Sequence, residues 1–538
     1  MRRPARAWSV TAALGVVLAT GQPATAEPAA PTPEVPARFA EQDVQWVPCF
    51  DGELPPDLPP GSERLECGTL TAPMDWHDPD NGEEISIAVS RLSPETGPAG
   101  RALFTNPGGP GGAGLGMPLA LLDGSSDLPA HFDVYGIDVR GTGASSTVSC
   151  GQDQEPPERS DFRDRSPQNI ARLLRMSQDF AEACQRHSGE LGRFVTTEQT
   201  VADLDLLRRV EGHDRVSWYG ISAGTWLGAH FATAFPDSVD KVVLDSNVEF
   251  TGTWQDVFAW QPMAFERRWR EDLRPWLAAH DATYHLGGTA EAVQATVDGL
   301  RAALAEEPLP VPDGPPIGPT ELDALLLQTM YSKQLFPVLG DALVELRAGT
   351  GDGRAVAALS SRSTPVSTDP QDSMDATLYS IRCNDTEFRG DPVSVVVDSE
   401  VQGAKYPLYG YYAIFQPCVF WDRPQVDLPQ PTGEGLPPVL MVQSENDPAT
   451  AREGAELAHQ RFRGSRLVTV RGEGDHGVYG AGNACVDDVV EAYLVDGRVP
   501  ADMTCEGLPL PEPGASALAS TTGGTLLDRL DALRHALS

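Results

Sequence analysis

The chain has 538 residues, with 77 acidic against 40 basic side chains and a formal net charge of -37. A surface this acidic repels phosphate polymers and anionic lipid, so nucleic acid and anionic membranes are poor partners and neither is expected. Beyond the N-terminus no stretch approaches the roughly 18 consecutive apolar residues that a membrane span requires.

Arg2, Arg3 and Arg6 precede an apolar stretch from Ala12 to Leu18, and Ala24-Thr25-Ala26 follows. That charged, apolar, small-residue order is a secretory signal, with cleavage expected before Glu27. No cysteine stands after the apolar stretch to carry a lipid, so the expectation is a soluble, secreted monomer. Eight cysteines, an even number in an exported chain, suggest four bridges. They fall in neighbouring couples: Cys49 with Cys67, Cys150 with Cys184, Cys383 with Cys418, and Cys485 with Cys505. None shows the C-x-x-C spacing of a zinc site, and neither metal nor cofactor is expected.

After the signal (residues 1–26) and a Pro/Ala-rich linker (27–45), β-type runs begin with Glu84 to Leu92. Buried-looking strands follow at Arg101 to Thr105 and Val134 to Asp138, each ending in a glycine-rich turn. Thr200 to Val210 has helical spacing, Arg215 to Tyr219 is β-prone, and Lys241 to Asp245 reads as the next strand. Strands ending in functional loops are the habit of a parallel α/β sheet, here expected over 46–249. From 250 to 396 the texture becomes helical runs between Pro/Gly breaks, read as an inserted lid, with Thr320 as the cap of one run. Four tryptophans crowd its start (Trp254, Trp260, Trp269, Trp276) and are read as lid core, with a substrate platform as the alternative. Strand texture resumes within 397–508, at Pro438 to Gln443 and Arg466 to Val470. A tail, 509–538, ends in an amphipathic segment, Thr525 to Leu537.

Gly220-Ile221-Ser222-Ala223-Gly224 spells G-x-S-x-G between a β-prone run and a helical one, Thr225 to Phe235. A strand turning at once into a helix leaves its apex strained and exposed, and flanking glycines let the backbones pass closely. Ser222 is therefore the candidate nucleophile. A serine needs a base, and the base a carboxylate, in the chain order Ser, acid, His. Asp447 follows the strand Pro438 to Gln443, and His476, flanked by glycines, follows Arg466 to Val470. Glu445 is the competing acid. His230 and His459, both on helices, read as structural, and Asp475 as solvated.

Acyl transfer also needs donors aimed at the developing oxyanion. The amide of Ala223, directly after the nucleophile, is one. The other is sought in Asn106 to Gly114, NPGGPGGAG, where Gly109 is preferred and Gly108 is the alternative. No G-K-[ST] follows, so this loop is not a phosphate cradle.

NPGGPGG, DVRGTGAS (Asp138 to Ser145), G-x-S-x-G, ENDPAT (Glu445 to Thr450) and GDHG stand in one order. Together with Cys383-Asn384-Asp385, Cys418 and Trp421, and the stretch from Cys485 through Tyr493 and Gly497 to Cys505, they resemble the secreted tripeptidyl aminopeptidases of actinobacteria. That family consists of α/β hydrolases related to prolyl iminopeptidases, and the resemblance runs from about Trp46 to Glu506. Ala223 replaces the family's usual aromatic residue and Val139 its glutamine. The resemblance implies an α/β-hydrolase core with a helical lid, and an exopeptidase that releases short peptides, tripeptides by resemblance, from free N-termini of peptides or proteins. Glu249 and Asp385, at the two lid junctions, are candidates to hold the substrate ammonium. The rival readings are a secreted carboxylesterase using the same triad and a non-catalytic binding protein on the same fold. Epoxide and haloalkane hydrolases are disfavoured because they place a carboxylate at the elbow.

Overall fold

The computed structural model describes residues 35–50, 52, 54–55, 58–151, 160–311, 316–349, 356, 370–514 and 525–537. The expected signal segment and the first part of the linker lie outside them. Among the described residues no helix is long and apolar enough to cross a membrane, and no group of three or more His, Cys, Asp or Glu is arranged to hold a metal.

Ten strands form one sheet: β1 (Val47–Pro48), β2 (Leu65–Pro73), β3 (Glu84–Leu92), β4 (Ala102–Asn106), β5 (Asp133–Ile137), β6 (Val216–Ile221), β7 (Val239–Asp245), β8 (Leu440–Ser444), β9 (Arg466–Arg471) and β10 (Met503–Glu506). Their spatial order is β1-β2-β3-β5-β4-β6-β7-β8-β9-β10. β1 to β3 are antiparallel, and every pairing from β5 to β10 is parallel. The central parallel strands are apolar on both faces because helices cover both. Along β6, Val216 and Trp218 pack into one core layer, whereas Tyr219 and Ile221 enter the other. The first layer holds Val201, Leu204 and Leu207 of the helix Thr197–Val210, and Ala229 and Phe231 of the helix Ala223–Ala234. The second holds Leu119 and Leu121 of Met117–Leu122, Val486 and Val490 of Ala484–Leu494, and Leu526, Leu530 and Leu533 of the C-terminal helix Leu526–Leu537.

Between β7 and β8 the described chain is helical from Trp254 to Phe420, so helices continue past the expected boundary at 396. This insertion has a hydrophobic cluster of its own, which includes Phe265, Trp269, Trp276, Leu326 and Phe336. Trp254 stacks on Trp226 of the core with ring centroids 4.3 Å apart. The helix expected behind Thr320 is capped differently. Gly318 is its N-cap with Pro319 next, and the Thr320 hydroxyl donates to the Ser160 carbonyl instead. The four disulfides join the expected neighbours, Cys49–Cys67, Cys150–Cys184, Cys383–Cys418 and Cys485–Cys505.

Candidate active site

The strand order reverses between β4 and β6, and a crevice at the carboxyl ends of the strands beside such a reversal is the habitual ligand site of open α/β sheets. Asn106, at the end of β4, pairs with Gly220 of β6, so the NPGGPGG loop and the elbow leave the sheet side by side. At the apex Ser222 adopts φ 58°, ψ -125°, a strained conformation for a residue with a side chain. The flanking glycines explain how the chain tolerates it. A Cβ on Gly220 would sit 2.3 Å from the Gly224 carbonyl oxygen, and one on Gly224 would sit 2.5 Å from that of Asn106.

Gly108 lies so close to the elbow that a Cβ there would be 2.7 Å from the Ala223 amide nitrogen. Its own N–H donates to Asn106 Oδ1 at 2.9 Å. The amides of Gly109 and Ala223 have no such acceptor among the described residues, which favours Gly109 over Gly108 as the second donor.

Asp447 follows β8 and His476 follows β9. His476 Nδ1 lies 3.0 Å and 3.1 Å from the two Asp447 carboxylate oxygens, and both side chains are buried. Burial alone would push the Asp447 carboxyl up. The adjacent imidazole and the N–H groups of Ala449 and Thr450, each 2.9 Å from Oδ1, instead hold it below the usual carboxylate range. Glu445 pairs with Arg452 and accepts from the Gly472 amide, away from the imidazole.

Ser222 and His476 line one cavity of about 560 Å³, with Gly108, Gly109, Phe265, Leu327, Tyr331, Leu378 and Leu530 among its walls. The insertion therefore roofs the elbow. Tyr331 accepts the His476 amide on its carbonyl at 2.9 Å and sets its ring edge-on to the imidazole, 5.3 Å between centroids. The sequence carried no sign of this residue's role, because it meets His476 only through the fold.

Asp475 is buried, not solvated. Its carboxylate accepts from Arg268 and from the Lys333 amide at 2.7 Å each. Burial and the neighbouring Glu473 carboxylate push it up to about 6. Ser246, another residue with no local signal, adopts φ 55° beside the site and accepts the Gly477 amide on its hydroxyl at 2.8 Å.

Glu249 and Asp385 do not line the cavity. Glu249 is buried, bonded to Trp260 Nε1 and to Arg461. Asp385 accepts from the Thr197 amide and hydroxyl and from Trp254 Nε1, and burial pushes it up to about 6. Each carboxylate is thus consumed within the protein. His459 is held structurally, with Nδ1 2.7 Å from the Ser465 hydroxyl. His230 is buried against Trp226, its Nε2 has no hydrogen-bond partner among the described residues, and burial drops it to about 3. Trp254, Trp260, Trp269 and Trp276 are likewise absent from the cavity walls.

A serine at a strand-to-helix elbow, with a loop after a neighbouring strand supplying free amides and a His–Asp pair on later loops, defines an α/β hydrolase of the serine class. Residues 102–294 match the family described as alpha/beta hydrolase fold, and residues 406–505 the family described as TAP-like protein. The chain is 36% identical to a tripeptidyl aminopeptidase of Streptomyces lividans over 89% of each chain. It is 29% identical to the serine protease Hip1 of Mycobacterium tuberculosis, covering 86% of this chain and 92% of that one. It is 28% identical to carboxylesterase B of the same species, over 81% and 85% respectively. The chain belongs to the tripeptidyl aminopeptidase family of α/β hydrolases.

Proposed function

We propose that this protein is a secreted serine exopeptidase that releases short peptides, tripeptides by family likeness, from free N-termini. The observation that carries the reading is the strained Ser222 elbow sharing a roofed cavity with an imidazole bonded to a buried carboxylate. Ser222 Oγ attacks the scissile carbonyl while His476 Nε2 takes its proton, and Asp447 fixes the tautomer and steadies the imidazolium. The amides of Ala223 and Gly109 receive the oxyanion. His476 then returns the proton to the leaving amine, and water hydrolyses the acyl-enzyme by the same route. The four disulfides support export.

The substrate ammonium needs a carboxylate inside the cavity, and neither Glu249 nor Asp385 reaches it. Asp528, on the first turn of the C-terminal helix, is the acidic side chain among the cavity walls. Its Oδ2 closes a cap with the amide and hydroxyl of Thr525, which fixes the carboxylate in place. Asp528 is our choice for the ammonium partner.

The test compares tripeptidyl-anilides with free and acetylated N-termini and a simple aryl ester. Acetylation is expected to lower kcat/KM about 30- to 1000-fold, as for a lost charge-assisted contact, and Asp528→Asn is expected to remove most of that discrimination. Equal turnover of free and blocked peptides, with the ester hydrolysed faster, would favour a carboxylesterase, the reading that the likeness to carboxylesterase B keeps open.

A further inference from the structure

Beside the Ser222 cavity lies a second one of about 460 Å³, and the two share Phe258, Gln261, Tyr379, Arg382 and Tyr409. Arg382 thus stands in the wall between them and lines both. It is the cationic side chain, His476 aside, among the walls of the Ser222 cavity.

In a chain with 77 acidic residues the surroundings of this arginine are unusual. Among the described residues no carboxylate pairs with it, and its polar neighbours are the phenols of Tyr379 and Tyr409. The guanidinium carbon lies 3.6 Å from the centroid of the Phe258 ring and 5.0 Å from that of Tyr379. Contact with a ring face offsets only part of what a charge loses when it is partly withdrawn from water. Arginine does not escape by deprotonating. The charge therefore stands in an aromatic wall with the Tyr379 phenol in reach and, among the described residues, no carboxylate to neutralise it.

The backbone beneath it is clamped. Cys383 is bridged to Cys418, Asn384 bonds the carbonyls of Gly192 and Val195 and Trp421 Nε1, and Asp385 holds Thr197 and Trp254. The Cys383-Asn384-Asp385 segment, which takes no part in the chemistry at Ser222, is the mount of Arg382.

We propose that Arg382 is an anion subsite of the substrate cleft, taking a carboxylate carried by the peptide being cleaved. With Asp528 on another wall of the same cavity, the cleft is charged at both signs and fits a peptide bearing a free ammonium and a carboxylate. The carboxylate has two sources, an Asp or Glu side chain in the released segment or the C-terminus of a short peptide. This inference rests on the exopeptidase reading.

The test uses the full-length protein. One arm measures kcat/KM for tripeptidyl-anilides with Glu or Gln at each of the three positions in turn. The other compares a tetrapeptide with its C-terminal amide. A preference of about 10- to 100-fold for the carboxylate is expected in one arm, the value of a hydrogen bond to a charged group. Arg382→Met should collapse that ratio and Arg382→Lys should keep part of it. If the variants fail to fold, the unmodified protein still decides, with Glu- and Gln-containing product tripeptides compared as competitive inhibitors. No carboxylate preference in either arm, or a preference that survives Arg382→Met, overturns the proposal. The free and acetylated neutral tripeptide, run alongside, separates the two failures: lost discrimination there sinks the exopeptidase reading, and retained discrimination with no carboxylate effect sinks the subsite alone.

Discussion

The elbow on the sheet and the helical insertion above it are built by different rules. Ser222, its flanking glycines and the Ala223 amide lie within one turn of chain, and the strain at the apex is imposed by β6 and the helix that follows. Their geometry is local and follows from a five-residue pattern. The insertion reaches the same cavity with Tyr331 and Tyr409, each in a turn between helices, and with Arg382 on the helix Pro370–Asp385, whose end is tied down by a disulfide. On the proposed reading the chemistry is mounted on the sheet, whereas Arg382 stands on a layer whose arrangement depends on distant contacts.

The largest test of this division is Ser222→Ala, expected to lower kcat about a million-fold with little change in unfolding temperature. Combining it with His476→Ala should cost scarcely more than either alone, because the residues act as one unit. Multiplying losses would argue against the triad, and fluorophosphonate labelling of a different serine would move the nucleophile elsewhere.

Replacing Cys383 and Cys418 together by serine should cost about 2 to 5 kcal/mol of stability, read by denaturant unfolding. At a temperature where the variant stays folded, Ser222 should still react with a fluorophosphonate while the preference among peptides is blurred. Equal loss of labelling and selectivity would mean that insertion and elbow are not separable.

A smaller effect is expected at the contact between the two regions. Tyr331→Leu removes the ring beside His476 but keeps the backbone carbonyl that holds its amide, so kcat should fall about ten-fold, with KM little changed. An unaltered kcat would make the roof a passive cover.

The smallest effect is a slope. Asp385 is pushed up to about 6 by burial, whereas an unfolded carboxyl titrates near its ordinary value of 3.8. The unfolded chain therefore loses its proton first as pH rises. The stabilising contribution of the neutral form is present below about 4 and is lost as pH climbs through about 6. Asp385→Asn should flatten that part of the stability profile by about 1 to 3 kcal/mol, seen as the difference in unfolding free energy between pH 4 and pH 7 in the two proteins. An identical profile would place the titration elsewhere.

Several parts of the site were legible before any fold was known. The elbow, the acid and histidine after successive strands, and the glycine loop are patterns in which a few adjacent residues dictate a backbone shape, and that shape is the function. The neighbour pairing of the cysteines was legible for a related reason, since short separations along the chain bring both partners to one element or its neighbour. The sequence by itself thus marked the strands that flank Ser222, the residues read as its triad and the outline of an inserted helical layer, whereas the order of the strands in the sheet came from the fold. Only the tertiary structure decided which charges reach the cavity. Glu249, Asp385 and Asp475 look alike as isolated carboxylates, yet all three are spent on Arg461, Thr197 and Arg268. Asp528, bonded to Thr525, reaches the cavity wall from the far end of the chain, and Arg382 lines it with no carboxylate partner among the described residues. Whether a charge is satisfied depends on partners up to hundreds of residues away, and no pattern of adjacent residues records that.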